Sequence, residues 1–156
     1  MSRRDSGRSS DRSSDRGRSS DRSGGRDRDG KQGAGAPVTV TVCRDCCCGS
    51  RTKHPEVDHA GQFERLRTAV GSAGRVRASK CLDVCSQSNV VVVGPSGAGR
   101  AAGARPVWLG FVLMDEMIDD IAAWVAAGGP GVAEPPGLLD LQLISVSRRV
   151  REGLPE

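Results

Sequence analysis

Six cysteines, at positions 43, 46, 47, 48, 81 and 85, constrain this chain more than any other feature. They form two groups, Cys43-Arg44-Asp45-Cys46-Cys47-Cys48 and Cys81-Leu82-Asp83-Val84-Cys85. Each group follows a segment with strand character. A structural cysteine behaves as a small buried hydrophobe, and three in succession inside a polar loop do not fit that role. No apolar run reaches the roughly 18–20 residues needed to cross a bilayer. Arg3-Arg4 is followed by Ser, Arg, Asp and Gly, not by the apolar stretch of an export signal. A cytoplasmic location is therefore expected. There, cysteines more often bind metal or carry out redox chemistry than cross-link the chain.

Charge and hydropathy divide the sequence. Residues 1–36 hold ten Lys+Arg against six Asp, and no Leu, Ile, Val or aromatic residue. Ser-Ser-Asp-Arg recurs at 9–12, 13–16 and 19–22. Such a stretch cannot bury enough apolar surface to offset its ordering entropy, so it reads as a disordered arm. With no aromatic to stack on bases and Asp offsetting Arg, nucleic acid is not the expected partner. From Pro37 onward the charges balance, and no electrostatic argument for a membrane or nucleic acid survives.

Order is expected to start at Pro37. Residues 38–42 form a β-branched run and a first strand. Residues 59–70 place Phe63, Leu66 and Val70 at helical spacing, with Gly71 and Gly74 as the stop. Residues 75–78 alternate as a second strand. Asn89 to Val93 is a third strand, buried on both faces, and 106–112 a fourth. Asp115 to Ala127 is a second helix with Met117, Ile118, Ile121, Trp124 and Val125 on one stripe. Strand, helix, strand, strand, strand, helix predicts a small α/β sheet packed on two helices. The division is then an arm over 1–36, a domain over 37–128 and a C-terminal extension over 129–156.

Two short cysteine loops suit a [2Fe-2S] core, because each of its two irons needs two protein thiolates. Cys81-x3-Cys85 supplies one pair. In the first group Cys43 can pair with Cys46, Cys47 or Cys48. Taken in order, Val40-Thr41-Val42-Cys43-Arg44, Cys81-x3-Cys85, Asn89-Val90-Val91-Val92-Val93, Val107-Trp108-Leu109-Gly110 and the closing helix resemble the thioredoxin-like [2Fe-2S] ferredoxins over about residues 38–128. The small iron–sulfur subunit of bacterial NADH dehydrogenase shares that domain and uses C-x4-C followed by C-x3-C. The resemblance implies a thioredoxin-like fold, a [2Fe-2S] cluster on Cys43, Cys48, Cys81 and Cys85, with Cys46 or Cys47 as alternatives to Cys48, and a homodimer. It also implies one-electron transfer to a redox protein, by a carrier and not an enzyme. The chain departs from the family in its triple cysteine and in Ser86-Gln87-Ser88, where relatives often carry Gly and Pro.

Two other classes compete. Zn²⁺ also takes four thiolates, giving a zinc-stabilised cysteine-rich interaction module, although C-x3-C is a poor match to a zinc knuckle. A dithiol redox protein would use Cys43-x2-Cys46 and leave Cys81 and Cys85 unexplained. Gly94-Pro95-Ser96-Gly97-Ala98-Gly99-Arg100 looks like a phosphate loop but lacks its Lys and hydroxyl, and is expected to be a hairpin turn. His54 and His59 are expected to face solvent, and Asp115, Glu116, Asp119 and Asp120 to form a solvated acidic face, with docking of a basic redox partner as the sharper reading.

Overall fold

The computed structural model describes residues 35–44 and 46–154. The expected disordered arm lies almost wholly outside them. The ordered chain is α/β: a four-stranded mixed sheet with several helices. The strands are β1 (Val38–Cys43), β2 (Gly74–Ser79), β3 (Val91–Gly94) and β4 (Val107–Leu109). They lie in the order β2-β1-β3-β4. β1 runs parallel to β2 and antiparallel to β3, and β3 runs antiparallel to β4. The helices are α1 (His59–Val70), α2 (Gly97–Ala101), α3 (Asp115–Ala126) and α4 (Arg148–Glu152).

The period-two alternation of the strands gives the sheet two different faces. Val38, Val40, Val42, Val91, Val93 and Leu109 point into one core. The apolar stripes of α1 and α3 fill it, through Leu66 and Val70 and through Met117, Ile118, Ile121, Trp124 and Val125. Asp58 caps α1 by accepting from the Gly61 N–H at 3.0 Å. Gly71, at φ 48°, takes the left-handed turn that ends the helix. The Trp124 indole is buried and donates to the Ala133 carbonyl at 2.8 Å, so the chain beyond α3 is fastened to this core.

The opposite face is polar at one end and apolar at the other. Towards β2, Arg77 Nε donates to Thr41 Oγ1 at 3.0 Å. Towards β4, Val90, Val92 and Trp108 form a second apolar cluster with Cys43, Cys48 and Leu82. Ile144, Val146, Val150 and Leu154 pack on it. The segment after residue 142 therefore covers the half of the sheet that α1 and α3 do not reach. Ile144 N–H donates to the Trp108 carbonyl at 2.9 Å, and Leu143 bridges Leu109. As expected, β3 is buried on both faces.

The segment read as a hairpin turn contains the short helix α2. The Ser96 side chain caps it by accepting from Gly99 N–H at 3.2 Å. Gly99 is required because a Cβ there would stand 2.1 Å from the Pro130 carbonyl oxygen. Gly97 N–H donates to Ala36 at 2.8 Å, so two of the leading N–H groups of this loop are already taken. The fourth strand is shorter than its apolar run and the third is shifted one residue along, because backbone pairing and not hydrophobicity sets strand ends.

Removing a methyl-rich side chain from a dry core costs its transfer energy plus a cavity. Ile121 is fully buried, so Ile121→Ala should destabilise by about 2–5 kcal/mol in urea unfolding. Leu141 is 77% exposed, and Leu141→Ala should change stability by less than about 0.5 kcal/mol. Equal effects of the two would contradict this core.

Candidate metal centre

Parallel pairing of β1 and β2 builds the site. Cys43, the last residue of β1, is opposite Ser79, the last residue of β2. Both strands therefore release their chains at one edge of the sheet. The loop after β1 carries Cys46, Cys47 and Cys48; the loop after β2 carries Cys81 and Cys85. Arg44 N–H donates to the Ser79 carbonyl at 3.1 Å, which ties the first loop to the end of β2, and Cys43 N–H donates to the Val90 carbonyl at 3.1 Å, just before β3.

Five of the six sulfurs converge. Cys43, Cys46 and Cys48 lie within 4.8 Å of one another, and so do Cys46, Cys81 and Cys85. Cys46 belongs to both groups and joins them. The Cys43–Cys46 and Cys81–Cys85 sulfur pairs are each 3.4 Å apart. Cys47 is exposed and belongs to neither group. Cys43 and Cys48 are buried, Cys46 and Cys85 half-buried, and Cys81 exposed, so the constellation runs from the interior to the surface. Such thiol groups could hold a metal ion.

Local geometry holds each loop in shape. The Arg44 guanidinium is turned inward and donates to the carbonyls of Cys43, at 3.1 Å, and Cys48, at 3.5 Å. Gly49 closes this turn: a Cβ there would stand 2.1 Å from the Arg44 carbonyl oxygen. In the second loop Asp83 has φ 58°, and its N–H donates to the Cys81 sulfur at 3.4 Å. The Lys53 ammonium donates to the Cys85 carbonyl, which links the polar segment after Cys48 to this loop.

The histidines stand apart from the sulfurs. His54 Nε2 contacts the Ser88 carbonyl at 3.0 Å and hydroxyl at 3.1 Å. His59 is buried, not solvent-facing, with Nδ1 3.0 Å from the Asn89 amide nitrogen. It opens α1, and helix packing against the sheet draws it in. Burial holds its pKa below the usual histidine value. The acidic start of α3 is partly neutralised, because Arg65 on α1 bonds Asp119 at 2.8 Å and Asp115 at 3.4 Å. The missed signal was Gln62: its amide donates to Leu113 at 2.9 Å, so the buried face of α1 includes polar positions that no apolar stripe reveals.

The thiols differ in acidity. The hydrogen bond from Cys43 pulls Cys48 down to about 6, while the same bond and burial push Cys43 up. The hydrogen bond with Cys81 and burial push Cys85 up to about 12, and burial raises Cys46. Comparison with protein-family models, curated proteins and solved structures finds no match to this chain.

Thiolates, not thiols, ligate metals, so loading must displace protons from Cys43, Cys46 or Cys85. Zn²⁺ affinity of the metal-free protein should therefore rise with pH between about 6 and 8, by about tenfold per pH unit for each proton displaced. Calorimetry in buffers of different ionisation enthalpy should register that proton release. A pH-independent affinity with no proton release would contradict these protonation states.

Proposed function

We propose that this protein binds a [2Fe-2S] cluster and passes single electrons as a thioredoxin-like ferredoxin. The observation that carries this reading is the opposition of two cysteine pairs from separate loops, one largely buried and one reaching the surface, at a single edge of the sheet. A two-iron core needs two thiolates on each side. Cys43 and Cys48 would hold one iron, and Cys81 and Cys85 the other. The strand order and directions, with β1 parallel to β2 and antiparallel to β3, support the thioredoxin-like reading.

The cluster, when bound, supplies the redox chemistry. The chain's own groups set its surroundings. Leu82, Val90 and Trp108 pack beside Cys43 and Cys48 and keep water from the inner end. The Asp83 N–H donates to the Cys81 sulfur, an outer contact of the kind that tunes potential. A redox partner would approach at Cys81 and Cys85, where the path to the surface is shortest.

The distances favour a second ligand set beside the first. Cys46 lies 3.4 Å from Cys43 and also reaches Cys81 and Cys85, whereas Cys48 meets only the first group. In this set Cys46 replaces Cys48 as the partner of Cys43. The compactness of the five thiols equally suits one zinc ion in a structural site, the alternative from another functional class.

Anaerobic purification decides among them. Red-brown charge-transfer bands, with about two irons and two sulfides per chain, are expected for the cluster; a colourless protein with bound zinc would overturn it. Cys81→Ser and Cys85→Ser should each abolish or gravely weaken iron binding. Cys47→Ser should leave it unchanged. Loss in Cys48→Ser with retention in Cys46→Ser assigns the first set, and the reverse assigns the second.

A further inference from the structure

A concave surface lies between the start of β4 and α4. It encloses about 530 Å³, within the range of small-molecule sites. Arg105, Arg148 and Arg151 line it, with Pro106, Trp108 and Leu154 as its apolar surface. A smaller cavity of about 240 Å³ shares Pro106, Trp108 and Arg151 and continues along Leu143 to Val146. The C-terminal segment thus forms a groove against the edge strand.

Two features of the lining are unspent. The first is charge. Among the described residues, Glu152 is the sole carboxylate lining the larger cavity, and it is bonded to Arg148 Nε at 2.6 Å. Among the described residues, Arg105 and Arg151 have no side-chain hydrogen bond or ion pair. The second is a buried donor. Trp108 is 3% exposed, and its indole N–H has no acceptor. A buried donor left without a partner is costly. Trp124 shows the ordinary solution, since its N–H is bonded to Ala133.

We propose that this groove binds a small molecule bearing a phosphomonoester. Guanidiniums present forked donors that match phosphate oxygens. Arg105 and Arg151 supply such donors from two different elements, β4's approach and α4. Trp108, whose indole N–H has no protein acceptor, borders the groove beside them. Pro106, Leu154 and the Trp108 ring give an organic body a surface to lie against, and the volume accepts a molecule of nucleotide size. The proposed contacts use no cysteine and no metal.

The full chain should be titrated with AMP, ribose 5-phosphate, inorganic phosphate and adenosine, followed by calorimetry. Saturable binding of AMP or ribose 5-phosphate, weakening as salt rises, with no binding of adenosine, is expected. Arg105→Gln and Arg151→Gln should each weaken it at least tenfold; both side chains are exposed, so the fold should be kept, as circular dichroism would verify. Arg67→Gln, on α1 and bonded to Glu64, should leave it unchanged. Failure of AMP, ribose 5-phosphate and phosphate all to bind at about 5 mM would overturn the proposal. So would equal affinity in the Arg105 and Arg151 variants, or equal loss in Arg67→Gln.

Discussion

The parallel hydrogen-bonded register between β1 and β2, which sets Cys43 opposite Ser79, is the constraint on which the rest depends. An antiparallel pair would send the two following loops to opposite ends of the sheet. A parallel pair sends them to the same end, but only if the intervening chain crosses back over the sheet. Residues 50–73 make that crossing, and α1 is its packed part. The helix that buries Leu66 and Val70 in the core is therefore also the element that allows two cysteine loops to meet. Fold energy and site geometry share one connection.

The second consequence is a sheet that must be covered twice. The valines of β3 point alternately to both sides, so α1 and α3 satisfy only half of them. The other half would remain in water without the segment that carries Ile144, Val146, Val150 and Leu154. That segment is short and mostly irregular, and the groove beside Trp108 runs along it. Cys43 and Cys48 sit in the same small cluster, so the inner end of the thiol constellation rests on apolar packing and not on solvent.

Electrostatics then separates sulfurs that look equivalent in sequence. Adjacent thiols share protons, and burial opposes charge. Cys48 is favoured as a thiolate by the Cys43 hydrogen bond, while Cys43 and Cys85 are held protonated. The Arg44 guanidinium, fixed by the Cys43 and Cys48 carbonyls, places a positive charge beside this chemistry without leaving the protein surface to supply it. A centre of this kind is half-buried by design of its loops: Gly49 permits the close turn at one side and Asp83 the left-handed turn at the other.

Sequence alone determined the elements whose physics is local. The β-branched run at 38–42, the apolar stripes of α1 and α3, the glycine stop at Gly71 and the two cysteine loops are all nearest-neighbour or helical-period signals, and the structure holds each of them. It left undecided what depends on distant partners. His59 reads as a solvent-facing histidine until helix packing buries it beside Asn89. The segment Gly94 to Arg100 reads as a hairpin turn, but in the structure Ser96 caps a short helix there and Pro130 packs on Gly99. Spacing along the chain points to Cys48, but only the tertiary structure brings Cys46 within reach of Cys81 and Cys85, because that proximity comes from two strands released side by side. A repeat period can show which residues share a face; which two loops share a point in space is set by strand direction, and no local pattern encodes that.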